Sequence, residues 1–282
     1  MYTLKVENQK GEILDLTGNP SYDVLKIDGL NPPSASINFS TMANFDGSIY
    51  NSAQLGNRNI VLTIKVYKPV ETNRINLYKY FQMKKKIRVY YENNSCSVYA
   101  DGYVETFEND YFTINQTIQI SILCPNPFWK ENDITSVKFS NVIDLFEFPF
   151  AIPAEGIEFS RIERLTNEYI NAGDIEIGAI IEFYATTNQI LNPKFYNRTT
   201  QEYFGVNFDM SKGDVIRINT QRGEKSVVLI RDGTETNIIN DMMQGSTWIQ
   251  LVPGINEISY ECDEGASNLN VTVTAVKCYE GV

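Results

Sequence analysis

The residues that could do chemistry in this chain are carboxylates and thiols, because its 282 residues include no histidine. Without histidine, the Ser-His-Asp and Cys-His arrangements that activate nucleophiles cannot form. Paired carboxylates can hydrolyse glycosidic bonds, and two groups are candidates on spacing: Glu105 with Glu108, and Glu261 with Asp263 and Glu264. Both groups surround predicted turns, where acidic residues are usually solvated. We therefore predict no catalytic residues and no enzymatic activity.

Metal and cofactor sites are likewise not predicted. The acidic turn at 261–264 has ligand types that calcium accepts, but its spacing is not that of a known calcium loop. The spacing of the four cysteines, Cys96, Cys124, Cys262 and Cys278, matches no zinc pattern. In a reducing compartment we expect free thiols, although Cys262 and Cys278 flank the last predicted hairpin and could face each other.

The formal charge of −11 is distributed unevenly. Residues 1–135 carry 13 basic and 14 acidic residues, whereas residues 136–282 carry 11 and 21. An acidic second half argues against binding to nucleic acid or to an anionic membrane there. The basic residues of the first half concentrate between Arg74 and Arg88, where a solvated helix end is the simpler explanation.

Hydropathy predicts neither a membrane span nor a secretion signal. The chain has no apolar run of about 18 residues or more, the length that a transmembrane helix requires. Residues 2–7 alternate like a strand and lack the apolar stretch of a signal peptide. We therefore expect no membrane insertion, and folding in the cytoplasm.

The periodicity of the chain predicts a mainly β protein in two domains, residues 1–132 and 133–282. In the first domain, residues 60–66 alternate with a period of two and are rich in β-branched residues, and 111–123 reads as a long strand. In the second, strand candidates such as 157–161 and 189–196 are separated by glycine-containing turns. This spacing is typical of a sandwich or jelly-roll.

One helix is predicted, over residues 70–83. Thr72 is the candidate N-cap. Ile75, Leu77, Tyr78 and Phe81 are expected to gather on one apolar face. The first domain is therefore predicted to be an antiparallel β-barrel or sandwich with a single α-helix.

A long segment between residues 29 and 57 is rich in turn formers. It includes Asn31-Pro32-Pro33, Asp46-Gly47 and Gly56-Asn57, with one short strand at 36–40. Ordering so long a segment with little regular structure is costly inside one domain. We expect a second chain to help hold it, and the alternative is an ordinary surface loop.

Several motifs in this chain resemble those of the distal tail protein family of long-tailed bacteriophages, also called the baseplate hub family. They span both halves of the chain in the order of the family. The motifs are Gly-Leu-Asn-Pro-Pro at 29–33, Asp-Gly-Ser-Ile-Tyr-Asn-Ser at 46–52, Arg-Asn-Ile-Val-Leu-Thr-Ile at 58–64, Cys-Pro-Asn-Pro-Phe-Trp at 124–129, Phe-Pro-Phe at 148–150 leading to Gly-Ile-Glu-Phe-Ser at 156–160, and Ser-Thr-Trp-Ile-Gln-Leu-Val-Pro-Gly-Ile-Asn at 246–256.

The resemblance implies a structural hub at the tip of a phage or prophage tail. The first domain would form a ring, usually a homohexamer, and the second would be a galectin-like β-sandwich pointing outward. The ring would join the tail tube protein to the tail-associated fibre or lysin protein and to a receptor-binding protein. DNA would pass through it without being read in sequence, and the hub would be assembled in the cytoplasm of the bacterial host.

A closed ring needs two different complementary surfaces on each subunit. We expect these surfaces to come from residues 32–57 and from the helix at 72–83. The candidate interface residues are Pro32, Pro33, Asp46, Gly47, Tyr50, Asn51, Arg58, Tyr78 and Phe81.

The alternative function is a carbohydrate-binding module in the second domain. Tyr184, Tyr196, Tyr203 and Trp248 could hold a sugar against an aromatic face. Sugar-binding galectins use a set of polar residues that includes histidine, and this chain has none.

Overall fold

The computed structural model describes residues 2–44, 46–111, 116–139 and 167–282. The chain divides into two compact units, Met1–Asp133 together with Cys278–Val282, and Ile134–Lys277. The sequence analysis placed one boundary at 132/133 and assigned the end of the chain to the second domain. Five residues at the end instead belong to the first unit, because they pair with it in the sheet described below.

The first unit contains one helix and most of its residues lie in strands. The bounds are β1 (Thr3–Glu7), β2 (Ile13–Asp15), β3 (Tyr22–Asp28), β4 (Ala35–Thr41), β5 (Ser48–Leu55), β6 (Arg58–Val66), α1 (Val70–Tyr80), β7 (Lys86–Glu92), β8 (Ser97–Asn109), β9 (Thr117–Cys124), β10 (Trp129–Glu131) and, at the end of the chain, β24 (Cys278–Tyr279).

These strands form one antiparallel sheet in the order β2-β1-β7-β8-β9-β6-β3, with β10 paired to β8 and to β24. In the described residues this path does not close on itself into a barrel. β4 and β5 pair only with each other, as a separate two-stranded hairpin. The predicted period-two strand is β6, whose alternate residues from Arg58 to Val66 are buried.

The core of the first unit lies between the sheet and α1. Apolar residues of β1, β6, β7 and β9 meet there, and Leu77 and Phe81 pack onto them from the helical side. Each fully buried aliphatic or aromatic side chain stabilises the unit by about 1.5–3 kcal/mol.

The helix differs from its prediction at its cap, at its end and on its faces. It begins at Val70 as predicted, but Pro69 occupies the N-cap position, so Thr72 lies inside the first turn and is not the cap. It ends at Tyr80 and not at residue 83. Leu77 is buried, whereas Ile75 and Tyr78 are exposed. Residues 75 and 78 share one side of a helix and 77 and 81 another, because side chains meet at spacings of three and four. The single apolar face that we predicted is therefore two faces.

The second unit consists of strands and two short 3-10 helices, at Ile239–Asp241 and Ala266–Asn268. Its strands are β11 (Thr135–Phe139), β12 (Asn167–Asn171), β13 (Ile177–Ala185), β14 (Ile190–Leu191), β15 (Lys194–Asn197), β16 (Glu202–Gly205), β17 (Asp209–Met210), β18 (Val215–Asn219), β19 (Ser226–Arg231), β20 (Thr234–Asn237), β21 (Gln250–Leu251), β22 (Gly254–Glu261) and β23 (Leu269–Ala275).

Two antiparallel sheets make the second unit a β-sandwich. One has the order β11-β23-β13-β18-β19-β20, with β21 beside β13, and the other has the order β12-β22-β15-β16. Their inner residues alternate with outer ones, as in β13, where every second residue from Ile177 to Ala185 is buried. The Tyr169 hydroxyl on one sheet donates to the Ala275 carbonyl on the other over 3.5 Å. The predicted mainly β fold with one α-helix is confirmed.

Some predicted strands end earlier than expected or fall outside the described residues. The predicted strand 189–196 is broken into β14 and β15 at Asn192, which has a φ of 56°, and Pro193. The predicted strand at 157–161 and the motifs at 148–150 and 156–160 lie outside the described residues, as do residues 112–115 of the strand predicted at 111–123. In the ranges that the structure describes, no helix is long and apolar enough to cross a membrane.

Candidate assembly interface

The segment predicted as long and irregular is a regular β-hairpin. β4 and β5 pair from Ala35 opposite Leu55 to Thr41 opposite Ser48, with a bulge at Asn51. The turn predicted at Asp46-Gly47 lies at its tip, where Gly47 has a φ of 98°. β4 contains the short strand predicted at 36–40, and it pairs along its length with β5, which was not predicted. We refer to residues 35–55 as the arm.

The arm has one apolar face and one polar face. Side chains alternate across a strand, so Ile37 and Phe39 share a face with Tyr50. The rings of Phe39 and Tyr50 make an edge contact with their centroids 6.5 Å apart. The opposite face is mostly polar, with Ile49 opposite Ser40, and there the Asn38 side chain donates to the Ser52 hydroxyl over 3.1 Å. Phe39 is 56% exposed and Tyr50 is 59% exposed. The apolar face is therefore uncovered within the chain.

The arm also lacks the features that protect exposed strands. Between Leu30 and Asn57 the only charged residue is Asp46. Free strand edges are usually protected by charged residues, and a two-stranded hairpin is only marginally stable in water. An arm with one charged residue and five exposed large apolar side chains is therefore suited to contact another protein surface. The five are Ile37, Phe39, Met42, Ile49 and Tyr50.

The base of the arm is held by Arg58, which is only 1% exposed. Its guanidinium donates to the carbonyls of Gly29, Asn31 (2.8 Å), Pro127 (2.7 Å) and Glu280 (2.5 Å). It also lies 5.3 Å from the centroid of the Trp129 ring. Burial lowers the pKa of Arg58. Arg58 thus acts inside the subunit, where it ties both ends of the arm to the end of the chain.

Close backbone packing completes the base. Gly29 has a φ of 92°, and a Cβ there would collide with the Asn59 carbonyl. Glycine is therefore required for steric reasons at the first position of the Gly-Leu-Asn-Pro-Pro motif. Gly281 packs against the Pro32 ring, where a Cβ would lie 2.8 Å from Cδ. The Val282 amide donates to the Leu30 carbonyl over 3.1 Å. These contacts fix where the arm leaves the sheet.

A second surface lies at the C-terminal end of α1. It is a pocket of about 580 Å³ lined by Tyr78, Phe81, Gln82, Met83, Phe107, Asn109 and Tyr111. The Tyr78 and Phe107 ring centroids are 4.9 Å apart. Asn109 Nδ2 donates to the Tyr78 hydroxyl over 2.8 Å and to the Tyr111 hydroxyl over 3.2 Å. These contacts fix the aromatic walls of the pocket.

Electrostatics at this pocket are set by its tyrosines and by Arg74. The Arg74 guanidinium lies 4.9 Å from the centroid of the Tyr111 ring. Burial raises the pKa of Tyr78, and hydrogen bonds from Tyr78 and Asn109 lower the pKa of Tyr111. The lining residues are aromatic, apolar or amide side chains, and none of them is Asp, Glu, Lys or Arg.

The structure separates the predicted interface residues into three groups. Asp46, Gly47, Tyr50 and Asn51 lie on the arm and are exposed. Pro32 and Pro33 lie at its base with the buried Arg58, and Tyr78 and Phe81 line the pocket. Gln82 and Met83 fall within the surface predicted at 72–83. Sequence analysis missed Phe107, Asn109 and Tyr111, which come from β8 and the residues just after it, because no pattern near the helix indicated them.

The four aromatic residues of the sugar-binding alternative do not share one face. Tyr196 and Tyr203 are cross-strand neighbours with centroids 5.8 Å apart. The Arg198 guanidinium lies 4.7 Å from the Tyr196 centroid, so the Tyr196 ring is contacted by both Tyr203 and Arg198. Tyr184 is on the other sheet, in β13, and Trp248 precedes β21 and packs on Phe204 at 5.1 Å. Sugar binding stays a prediction.

Three of the five candidate carboxylates are engaged by neighbouring side chains. Asp263 accepts hydrogen bonds from Lys194 and Asn192, each over 2.8 Å, and Glu261 accepts one from the Tyr196 hydroxyl. Ser121 donates to Glu105 over 3.1 Å. In the ranges that the structure describes, no group of three or more potential metal ligands is found, and the four cysteines are free thiols.

Comparisons with known proteins identify relatives of this fold. Residues 172–275 match the family model described as "Siphovirus-type tail component, C-terminal domain". Solved structures also match over the whole chain, among them the following two. The crystal structure of the SPP1 Dit protein, described as a paradigm of the hub adsorption apparatus in phages that infect Gram-positive bacteria, has a TM-score of 0.70 and 12% identity and covers 99% of each chain.

The second match is a chain of the phage P2 baseplate in its activated conformation with calcium, with a TM-score of 0.59, 14% identity and full coverage of both chains (100%). No curated protein sequence matches this chain. The resemblance seen in the motifs is therefore confirmed: the chain has the fold of a phage distal tail protein over its whole length, and residues 172–275 match the C-terminal domain of a siphovirus-type tail component.

Proposed function

We propose that this protein is a structural hub of a phage or prophage tail tip, built as a homohexameric ring of first units. The fold supports it, since the SPP1 Dit structure is described as a hub and the P2 relative comes from a baseplate. The ring joins the tail tube protein to the tail-associated fibre or lysin protein and to a receptor-binding protein. DNA crosses its centre, and the second unit is a galectin-like sandwich pointing outward. Ring assembly takes place in the cytoplasm of the bacterial host.

The observation that carries the proposal is the uncovered apolar face of the arm. Phe39 and Tyr50 would cost free energy if they stayed in water, and each aromatic side chain can bury about 150–250 Å² at an interface. The arm has an intramolecular anchor in Arg58 and no intramolecular cover. A neighbouring copy in a ring supplies that cover, because head-to-tail contacts join two different surfaces of one chain.

The test is the mass of the full chain in solution, by light scattering over a dilution series, with negative-stain imaging of the particles. We expect hexamers with an open centre. The variant Phe39→Ser/Tyr50→Ser should abolish them. The matched control Asn38→Ser/Gln54→Ser, on the polar face of the same hairpin, should leave them intact. A chain that stays monomeric at its highest attainable concentration, or rings that survive the Phe39→Ser/Tyr50→Ser change, would overturn the proposal.

A further inference from the structure

The pocket at the end of α1 has a size and lining that suit an occupant of apolar character. It is an open depression, and its volume of about 580 Å³ is within the roughly 300–1,000 Å³ range of ligand sites. Its walls are mostly aromatic, and Met83, which is 48% exposed, adds a flexible thioether at the rim. Methionine adapts to the shape of an aromatic partner and makes favourable sulfur–ring contacts.

We propose that this pocket receives the arm of a neighbouring copy, with the Phe39–Tyr50 pair as the anchor. The inference rests on the proposed ring and names its contact. Within one chain, Phe39 and Tyr50 do not fill the pocket, because both side chains are more than half exposed. Each copy thus offers one donor surface and one acceptor surface, which is the condition for a closed head-to-tail ring.

Charge favours the same pairing. Asp46 is the only charged residue of the arm, and it lies at the tip. The segment that carries the pocket, residues 68–88, contains seven basic residues and one acidic residue, Glu71. Arg74 engages Glu71 in an ion pair, and Lys86 and Arg88 engage Asp101. The other four basic residues of the segment are Lys68, Lys79, Lys84 and Lys85. Opposite charges at the rim of an apolar contact orient the two partners as they approach.

Other occupants are outcomes of the test. The free edges of β4 and β5 could add a strand to a neighbouring sheet, as exposed edges do. A small apolar ligand could also enter the pocket. In the first case the arm would contact strand residues of its neighbour, and in the second the arm would not contact the pocket at all.

Photo-crosslinking of the full chain distinguishes these cases. Phe39 is replaced by p-benzoylphenylalanine, and unlabelled and isotopically heavy copies are mixed before irradiation, so that crosslinks between copies have mixed mass. We expect mixed adducts in the peptides that contain residues 78–83 or 107–111. If rings form but their adducts map to other residues, the pocket assignment is overturned and the proposal of a ring-shaped hub is unaffected. The absence of any ring overturns both proposals.

A matched pair of variants gives an independent measurement. Met83→Ser alters an exposed pocket residue, and Ile13→Ser alters an apolar residue of the first unit that is also about half exposed, at 57%, but lies on β2 outside the pocket. Met83→Ser should raise the concentration at half-assembly by about tenfold, the size expected for losing one buried methionine side chain. Ile13→Ser should not change it. Equal effects of the two variants would contradict the pocket assignment.

Discussion

Arg58 donates a hydrogen bond to the main-chain oxygen of Glu280 over 2.5 Å, across 222 residues of sequence. The contact joins the start of β6 to the segment that follows β24. The Arg58 guanidinium also donates to the carbonyls of Gly29 and Asn31, in the segment that leads into the arm. The direction of the arm therefore depends on a buried cation whose guanidinium donates to four main-chain oxygens.

Replacing Arg58 should destabilise the first unit selectively. Arg58→Lys keeps the charge but loses the planar fork that reaches several carbonyls at once. We expect a loss of about 3 kcal/mol, because buried acceptors are left unpaired. The measurement is chemical unfolding followed by fluorescence of Trp129, in a Trp248→Phe background. Arg222→Lys, at a side chain that is 72% exposed, is the control and should change stability little. Equal stability of the two variants would contradict this role of Arg58.

The two sides of α1 should respond differently to truncation. Leu77 is fully buried and Ile75 is 53% exposed. Leu77→Ala should cost about 2–5 kcal/mol through lost burial and a cavity. Ile75→Ala should change the free energy of unfolding by less than about 0.5 kcal/mol. Denaturant unfolding of the monomeric Phe39→Ser/Tyr50→Ser background measures both without a contribution from assembly. Similar losses would mean that the helix buries both sides.

The first unit should fold without the second. β10 and β24 are neighbours, with Trp129 opposite Tyr279 and Lys130 opposite Cys278. Replacing residues 133–276 by one glycine leaves Asn132-Gly between Glu131 and Lys277, a favoured two-residue hairpin turn.

We expect this shortened chain to unfold cooperatively and to keep the blue-shifted emission of a buried Trp129, its only tryptophan. A redesign with the same deletion and a Gly-Pro junction is the control, since proline cannot complete that turn. Emission at the wavelength of exposed tryptophan would show that the first unit needs the second.

Acid should weaken the second unit through Asp214, which is 1% exposed. Its carboxylate accepts hydrogen bonds from Arg231 over 2.8 and 2.6 Å and from the Ser211 amide over 2.8 Å. Arg231 holds the pKa of Asp214 below its usual range, against the opposing effect of burial. A lowered folded pKa means that the stabilisation is fully present above the unfolded pKa of about 3.9 and is lost as pH falls through the folded value.

Asp214→Asn should therefore lower the free energy of unfolding by about 2 kcal/mol at pH 7. The difference in stability between this variant and the unmodified chain should shrink below about pH 4. Melting temperatures from pH 7 to pH 2.5 measure this, with the exposed Asp232→Asn as control. A difference that is constant across the whole range would rule out the ion pair as its source.

The cysteines should titrate as four thiols in the unfolded chain without reductant. In the folded chain, burial raises the pKa of Cys124 to about 12 and that of Cys278 to about 11. Because the thiolate is the reactive form, both should resist alkylation at pH 8. The partly exposed Cys96 should react first. Mass spectrometry after timed iodoacetamide treatment gives the order; two reactive thiols after unfolding would reveal a disulfide instead.

Local patterns were sufficient for many of the strands and for a resemblance to the distal tail family. The alternation in β6 predicted burial of Ile60 and Ile64, because a period of two places one side of a strand against the core. Turn residues predicted many strand ends, and motifs in both halves indicated the distal tail family. The helix was predicted from spacing alone, but its two faces were not, since spacing does not say which side meets the core.

What the sequence by itself determined is thus the mainly β architecture, the place of the single helix and the absence of histidine chemistry. Only the tertiary structure decided that residues 35–55 form an arm, that Arg58 is buried beneath it, and that the end of the chain returns to the first unit. The physical reason is that these features depend on contacts between distant residues. The burial of Arg58 requires carbonyls near residues 29, 127 and 280 at once, and no local pattern contains that information.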